Sequence, residues 1–131
     1  MVAAGNEGSR NGVAAPGCLS SAVTVGATDD SDLITAFSNR GPLLDLVAPG
    51  VDIDSSVPDD TYGGMSGTSM STPHVAGGFA LMRQAFPDLG AVQILQRLQA
   101  TVRQIVYSSY EGQIMTTRID LGAATSTDPK A

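Results

Sequence analysis

Eleven residues, Gly67-Thr68-Ser69-Met70-Ser71-Thr72-Pro73-His74-Val75-Ala76-Gly77, place a serine where a glycine-rich turn meets the start of a helix. Nucleophilic chemistry has a use for that position. The first N–H groups of a helix lack acceptors within it, and the positive end of the helix dipole lies beside them. Negative charge developing on a substrate oxygen next to Ser69 is therefore stabilised. Taken on Gly-Thr-Ser alone, Ser69 or Ser71 reads more simply as an N-cap. A serine nucleophile also needs a base, and His74 is the single histidine. On one helix, five positions separate the two side chains by about 140° around the axis and roughly 7.5 Å along it. His74 is thus expected to point away from Ser69 and not to serve it.

The eleven-residue stretch resembles the nucleophile motif of the subtilases, Gly-Thr-Ser-Met-(Ala/Ser)-x-Pro-His-Val-Ala-Gly, almost residue for residue. The likeness continues in order along the chain. Val2-Ala3-Ala4-Gly5-Asn6-Glu7-Gly8 resembles the family's oxyanion segment, and Val23-Thr24-Val25-Gly26-Ala27 its following strand. Phe37-Ser38-Asn39-Arg40-Gly41-Pro42 and Leu46-Val47-Ala48-Pro49-Gly50-Val51 resemble two further landmarks. The resemblance covers nearly the whole chain, from Val2 to Leu121. It implies that Ser69 is the nucleophile and that Asn6 donates its side-chain amide to the oxyanion beside the Ser69 N–H, although local sequence alone makes Asn6 a turn residue. It also implies that Ala3, Ala4 and Gly5 form one wall of the primary specificity pocket. Met70 would sit beside the active serine, exposed to sulfoxide formation, while core packing accounts for it equally well.

In the resembled family the base is a histidine oriented by an aspartate, carried on His-Gly-Thr-His and Asp-Thr/Ser-Gly motifs. Neither motif occurs here, nor does the Ser-Leu-Gly segment of the other pocket wall. The expectation is a serine-type endopeptidase fragment acting on polypeptides through Ser69, with Asp and His supplied by an N-terminal half. The alternative is a catalytically inactive subtilase-like module for binding or assembly. Nucleotide binding by the Gly63–Ser69 loop is excluded by the missing Gly-Lys-Ser/Thr ending. Residues flanking Ser69 at two positions are Gly67 and Ser71, which rules out an α/β-hydrolase elbow. The resemblance also allows calcium, with Asp29, Asp30 and Asp32 in one loop and Asp52 and Asp54 in another. No calcium-loop spacing is present, so a solvated acidic surface is the preferred account and no metal ligand is assigned.

Elements that would position these residues follow from patterning. Val2 to Gly8 reads as the end of a buried strand running into a turn, and Ala22 to Ala27 as a second buried strand. Leu33 to Phe37 and Leu43 to Ala48 are expected strands between turn signals, and Val51 to Asp54 alternates apolar and acidic residues ahead of Pro58. Val75, Phe79, Met82 and Phe86 recur at helical spacing within Ser71 to Phe86, where small residues on most other positions predict a buried helix. Pro73 suits its first turn. A second, amphipathic helix is expected over Gly90 to Val102 with Val92, Leu95, Leu98 and Val102 on its stripe. Ile105 to Leu121 reads as a loop with a short hairpin at Glu111-Gly112. The fold class expected is α/β, a partial subtilisin-like doubly wound parallel sheet with a buried nucleophile-bearing helix. Residues 1–122 form the peptidase part and 123–131 a polar tail expected to fray.

Composition agrees with one compact domain: 131 residues, 42% hydrophobic. Seven basic against thirteen acidic residues give a net charge of −6, with no basic stripe, so nucleic acid is not an expected partner. Cys18 stands alone, which excludes an internal disulfide, and is expected to be a buried thiol. No run approaches the roughly 20 apolar residues of a membrane span, so no membrane partner is expected. No signal peptide follows Met1, and secretion is implied only by the resemblance. An exposed edge of a partial sheet predicts self-association or pairing with the N-terminal half.

Overall fold

The computed structural model describes residues 1–101 and 103–126. Its centre is a five-stranded sheet in the order β1 (Val2–Ala3), β2 (Thr24–Thr28), β3 (Leu46–Pro49), β7 (Gly112–Arg118), β6 (Gln104–Ser109). The first four strands run parallel, and β6 returns antiparallel on β7. A separate hairpin, β4 (Ile53–Val57) and β5 (Thr61–Met65), leads into helix α1 (Thr68–Ala85). Helices α2 (Ala91–Gln99) and α3 (Leu121–Thr125) complete the regular structure of the described residues.

All five residues of β2 are buried, which is why it reads as an unbroken apolar and β-branched run rather than an alternating one. One face of the sheet presents Val25, Leu46 and Ala48 to Val75 and Met82 of α1, Ile94 and Leu98 of α2, and Ala124 of α3. The other face presents Ala4, Val47 and Tyr107, covered by Leu44, Val13 and Ile34 from loops. The three described helices therefore share one face, and the second helical layer of a doubly wound sheet is not built from these elements. Asp32 joins the 29–33 loop to β6 and β7 through ion pairs with Arg103, at 2.8 Å, and Arg118. Among the described residues no helix is long and apolar enough to cross a membrane.

Several sequence expectations change. Leu33 to Phe37 makes no strand, only an isolated bridge between Ile34 and Thr28. Asp29 Oδ1 accepts from the Ser31 and Leu33 N–H groups, and Ser38 N–H bonds Thr35 O, so turns consume the backbone donors on both sides. Helix α1 is buried along one stripe, Thr68, Ser71, Val75, Gly78 and Met82, while Pro73, His74, Gly77 and Leu81 face outward. The stripe of α2 is Ile94 and Leu98, with Val92 exposed. The loop expected over Ile105 to Leu121 is mostly the β6–β7 hairpin. Cys18 is exposed, because it sits in successive tight turns closed by Leu19 N–H to Pro16 O and Ala22 N–H to Leu19 O. Ala123 to Thr125, read as the start of a polar tail, belong to α3, and Ala124 is buried. Val102 and residues 127–131 of that tail lie outside the described residues.

Candidate active site

Two loops that are distant in sequence meet at the N-terminus of α1. Asn6 Oδ1 accepts from the Thr68 N–H at 2.9 Å and from the Thr68 hydroxyl at 3.0 Å. The same hydroxyl accepts from the Gly5 N–H at 3.2 Å. Because a backbone N–H can only donate, the oxygen of the Asn6 amide must face Thr68, which turns Nδ2 the other way. Nδ2 has no partner among the described residues, and neither does the Ser69 N–H at the first turn of the helix. A Cβ at residue 67 would lie 3.5 Å from Asn6 Nδ2 and 3.7 Å from Met70 Sδ. Glycine there leaves open the space that the amide borders.

Ser69 is exposed at a cleft of about 350 Å³ lined by Ile53, Asp54 and Ser55 of β4 and by Ser69, Met70, Pro73 and His74 of α1. His74 thus borders the same cleft as Ser69, closer company than helical rotation suggests. Its ring nevertheless makes no hydrogen bond to Ser69. Nδ1 lies 2.8 Å from Met70 O, one turn back, and a carbonyl can only accept, so Nδ1 carries the proton and anchors the ring to the helix.

Ala3, Ala4 and Gly5 lead from β1 into this site, but not as three equivalent wall residues. The Ala4 side chain is fully buried in the second core cluster with Leu44, Val47 and Tyr107. Any wall at this point is backbone. Gly5 has φ of +100°, and a Cβ there would strike Asn39 Nδ2, Glu7 Oε2 and Ala14, so only glycine fits.

Asn39, which the sequence offered only as part of a family landmark, holds the segment in place. Its Oδ1 accepts from the Ser9 N–H at 2.9 Å and the Glu7 N–H at 3.2 Å, and its Nδ2 donates to Ala4 O at 3.1 Å and Glu7 Oε2 at 2.5 Å. Its own N–H bonds Gly5 O at 3.0 Å. One buried side chain therefore shapes the turn that presents Asn6. Thr68 is the second residue missed. The signal for either was its place in a family motif, which carried no partner with it.

The acidic loops do not fit calcium. Asp29 is engaged by two backbone N–H groups and Asp32 by two guanidiniums, and no group of three or more His, Cys, Asp or Glu residues able to hold a metal occurs among the described residues.

A profile of the Subtilase family matches residues 1–124. The chain belongs to the subtilase family. It is 43% identical over 114 residues to Subtilisin E of Bacillus subtilis (strain 168), covering 85% of this chain and 30% of that protein. To Subtilisin Savinase of Lederbergia lenta it is 42% identical over 105 residues, covering 80% of this chain and 39% of that one. The crystal structure of a cold adapted subtilisin-like serine proteinase superposes with a TM-score of 0.70 at 45% identity, over 75% of this chain and 36% of the other. This subtilase chain thus spans about a third of the length of the proteins it matches.

Proposed function

We propose that this chain carries the nucleophile and oxyanion half of a subtilisin-type serine endopeptidase. Ser69 Oγ attacks a peptide carbonyl carbon while a base takes its proton. The resulting oxyanion receives the Asn6 Nδ2 and Ser69 N–H groups, and collapse expels the amine to leave an acyl-enzyme that water hydrolyses. The backbone of Ala3 to Gly5 lines one side of the pocket for the substrate residue that supplies the carbonyl. The observation that carries this reading is the pair of Thr68 hydrogen bonds to Asn6 Oδ1, which leave the amide nitrogen free, 3.5 Å from where a Cβ on Gly67 would stand. A residue serving only as a turn has no need of that orientation. The peptidase segment runs from residue 1 to 122, with buried Ala124 extending it into α3, and secretion belongs to the same proposal.

The base and its orienting carboxylate come, in this reading, from Asp- and His-bearing segments outside this chain, since the His74 ring, bonded through Nδ1–H to Met70 O, makes no hydrogen bond to Ser69. The lack of a base hydrogen-bonded to Ser69 among the described residues equally favours the second reading, a subtilase-like module that binds or assembles without hydrolysis. A fluorophosphonate probe separates the two. The chain is labelled alone and after reconstitution with the Asp- and His-bearing part of a subtilisin, with Ser69→Ala as control, and adducts are located by mass spectrometry. An adduct on Ser69 in the reconstituted protein, absent from Ser69→Ala, is expected. A folded, reconstituted sample that stays unlabelled would leave the binding module as the surviving reading.

A further inference from the structure

Four of the six arginines have acceptors. Arg83 donates to Leu89 O, Arg97 to Ala124 O and Ser126 O, and Arg103 and Arg118 pair with Asp32. The guanidiniums of Arg10 and Arg40 have none among the described residues. These two are not scattered: both line one cavity of about 310 Å³, together with Ile34, Tyr107 and Ser108. Arg40 Nε is buried with no hydrogen-bond partner, an arrangement that native interiors rarely leave unanswered. The Tyr107 hydroxyl does not answer it, being engaged with the Gly41 N–H and O at 3.3 and 3.0 Å.

The two arginines are also held together by the backbone. Arg40 N–H bonds Ser9 O at 2.8 Å and Gly12 N–H bonds Arg40 O at 2.9 Å, so the loop carrying Arg10 is fastened to the Arg40 peptide on both sides. Two like charges are thereby fixed beside one cavity in a protein with thirteen acidic residues, and among the described residues no carboxylate pairs with either. We propose that the Arg10–Arg40 cavity binds a small oxyanion, with the two guanidiniums donating to its oxygens. A guanidinium fork matches both carboxylate and tetrahedral oxyanions. Burial, and then the neighbouring Arg10 charge, hold the Arg40 pKa below its usual range; a bound anion relieves both. This site is independent of hydrolysis at Ser69.

Thermal unfolding of the full chain is followed against sodium sulfate, phosphate and acetate, with sodium chloride at matched ionic strength as reference. A saturable rise in Tm is expected for at least one of the three, and which one responds distinguishes a tetrahedral anion from a carboxylate. Arg10→Gln and Arg40→Gln should each raise the half-saturating concentration tenfold or more. Should Arg40→Gln fail to fold, Arg10→Gln, at an exposed loop position, still decides. A rise that is linear in salt and equal in the variants, or no rise above chloride, overturns the proposal.

Discussion

Asn6 illustrates how little a residue's type says about its role until its partners are known. Between two glycines it is a turn former. With Oδ1 fixed by Thr68, its Nδ2 is left with a defined direction, which the proposed oxyanion role requires. Asn6→Ala in the reconstituted peptidase should lower kcat by about 10²–10³ with little change in KM, a magnitude taken from subtilisin itself rather than from this geometry. Peptide hydrolysis measured at saturating and limiting substrate checks it, and a loss confined to KM would assign Asn6 to binding instead. The place of Ser69 at the start of a helix was legible from its eleven-residue context because the turn and the helix are contiguous. Asn39 was not, because its contacts reach back 30 to 35 residues, and no local pattern records such a partner.

At the scale of elements, legibility followed burial. Strand β2 and helix α2 announce themselves through contiguous β-branched residues and an apolar stripe. The β4–β5 hairpin does not, since Ser55, Ser56, Gly63 and Gly64 pair across it and both strands are largely exposed; there is no buried face to imprint an alternation. Yet this hairpin forms one side of the Ser69 cleft. The approach of β3 to α1 is equally silent in the sequence. Gly50 follows β3, its O accepts from Gly67 N–H at 2.8 Å, and a Cβ there would collide with Ser71 Oγ, Ala27 Cβ and Gly67 O. Those neighbours are backbone and core, with little room to give, so Gly50→Ala should cost about 1–3 kcal/mol and displace the start of α1 that carries Ser69. Gly77, outward on the same helix with nothing within 4 Å of its Cβ position, is the control: Gly77→Ala should gain up to about 1 kcal/mol. Chemical denaturation of both variants, with fluorophosphonate labelling of the reconstituted protein, tests the pair. Equal stabilities would mean that β3 and α1 do not meet as described.

For the molecule as a whole, the sheet is asymmetric in how it ends. Strand β6 forms one edge, six residues long and laddered to β7 along its whole length. On the other side β1 is two residues long and hydrogen-bonded to β2 alone, leaving backbone groups unpaired along a parallel sheet of a kind normally covered on both faces. The outward face of α1 adds exposed Leu81 beside Ala76, Gly77 and Ala80, a surface of small and apolar residues that suits close packing by another element. Strand β1 runs directly into the turn that holds Asn6, and α1 begins at the Thr68-Ser69 pair, so an element that covers the β1 edge reaches toward the serine. The chain on its own should therefore associate, either with itself or, when offered, with the Asp- and His-bearing part of a subtilisin. Light scattering coupled to size exclusion at micromolar concentration should give a mass of at least twice the 13.4 kDa of the chain, falling to a one-to-one heterodimer on reconstitution. A folded, monodisperse monomer that ignores the added half would mean that the β1 edge and the α1 face are closed by side chains alone, and that association plays no part in completing the site.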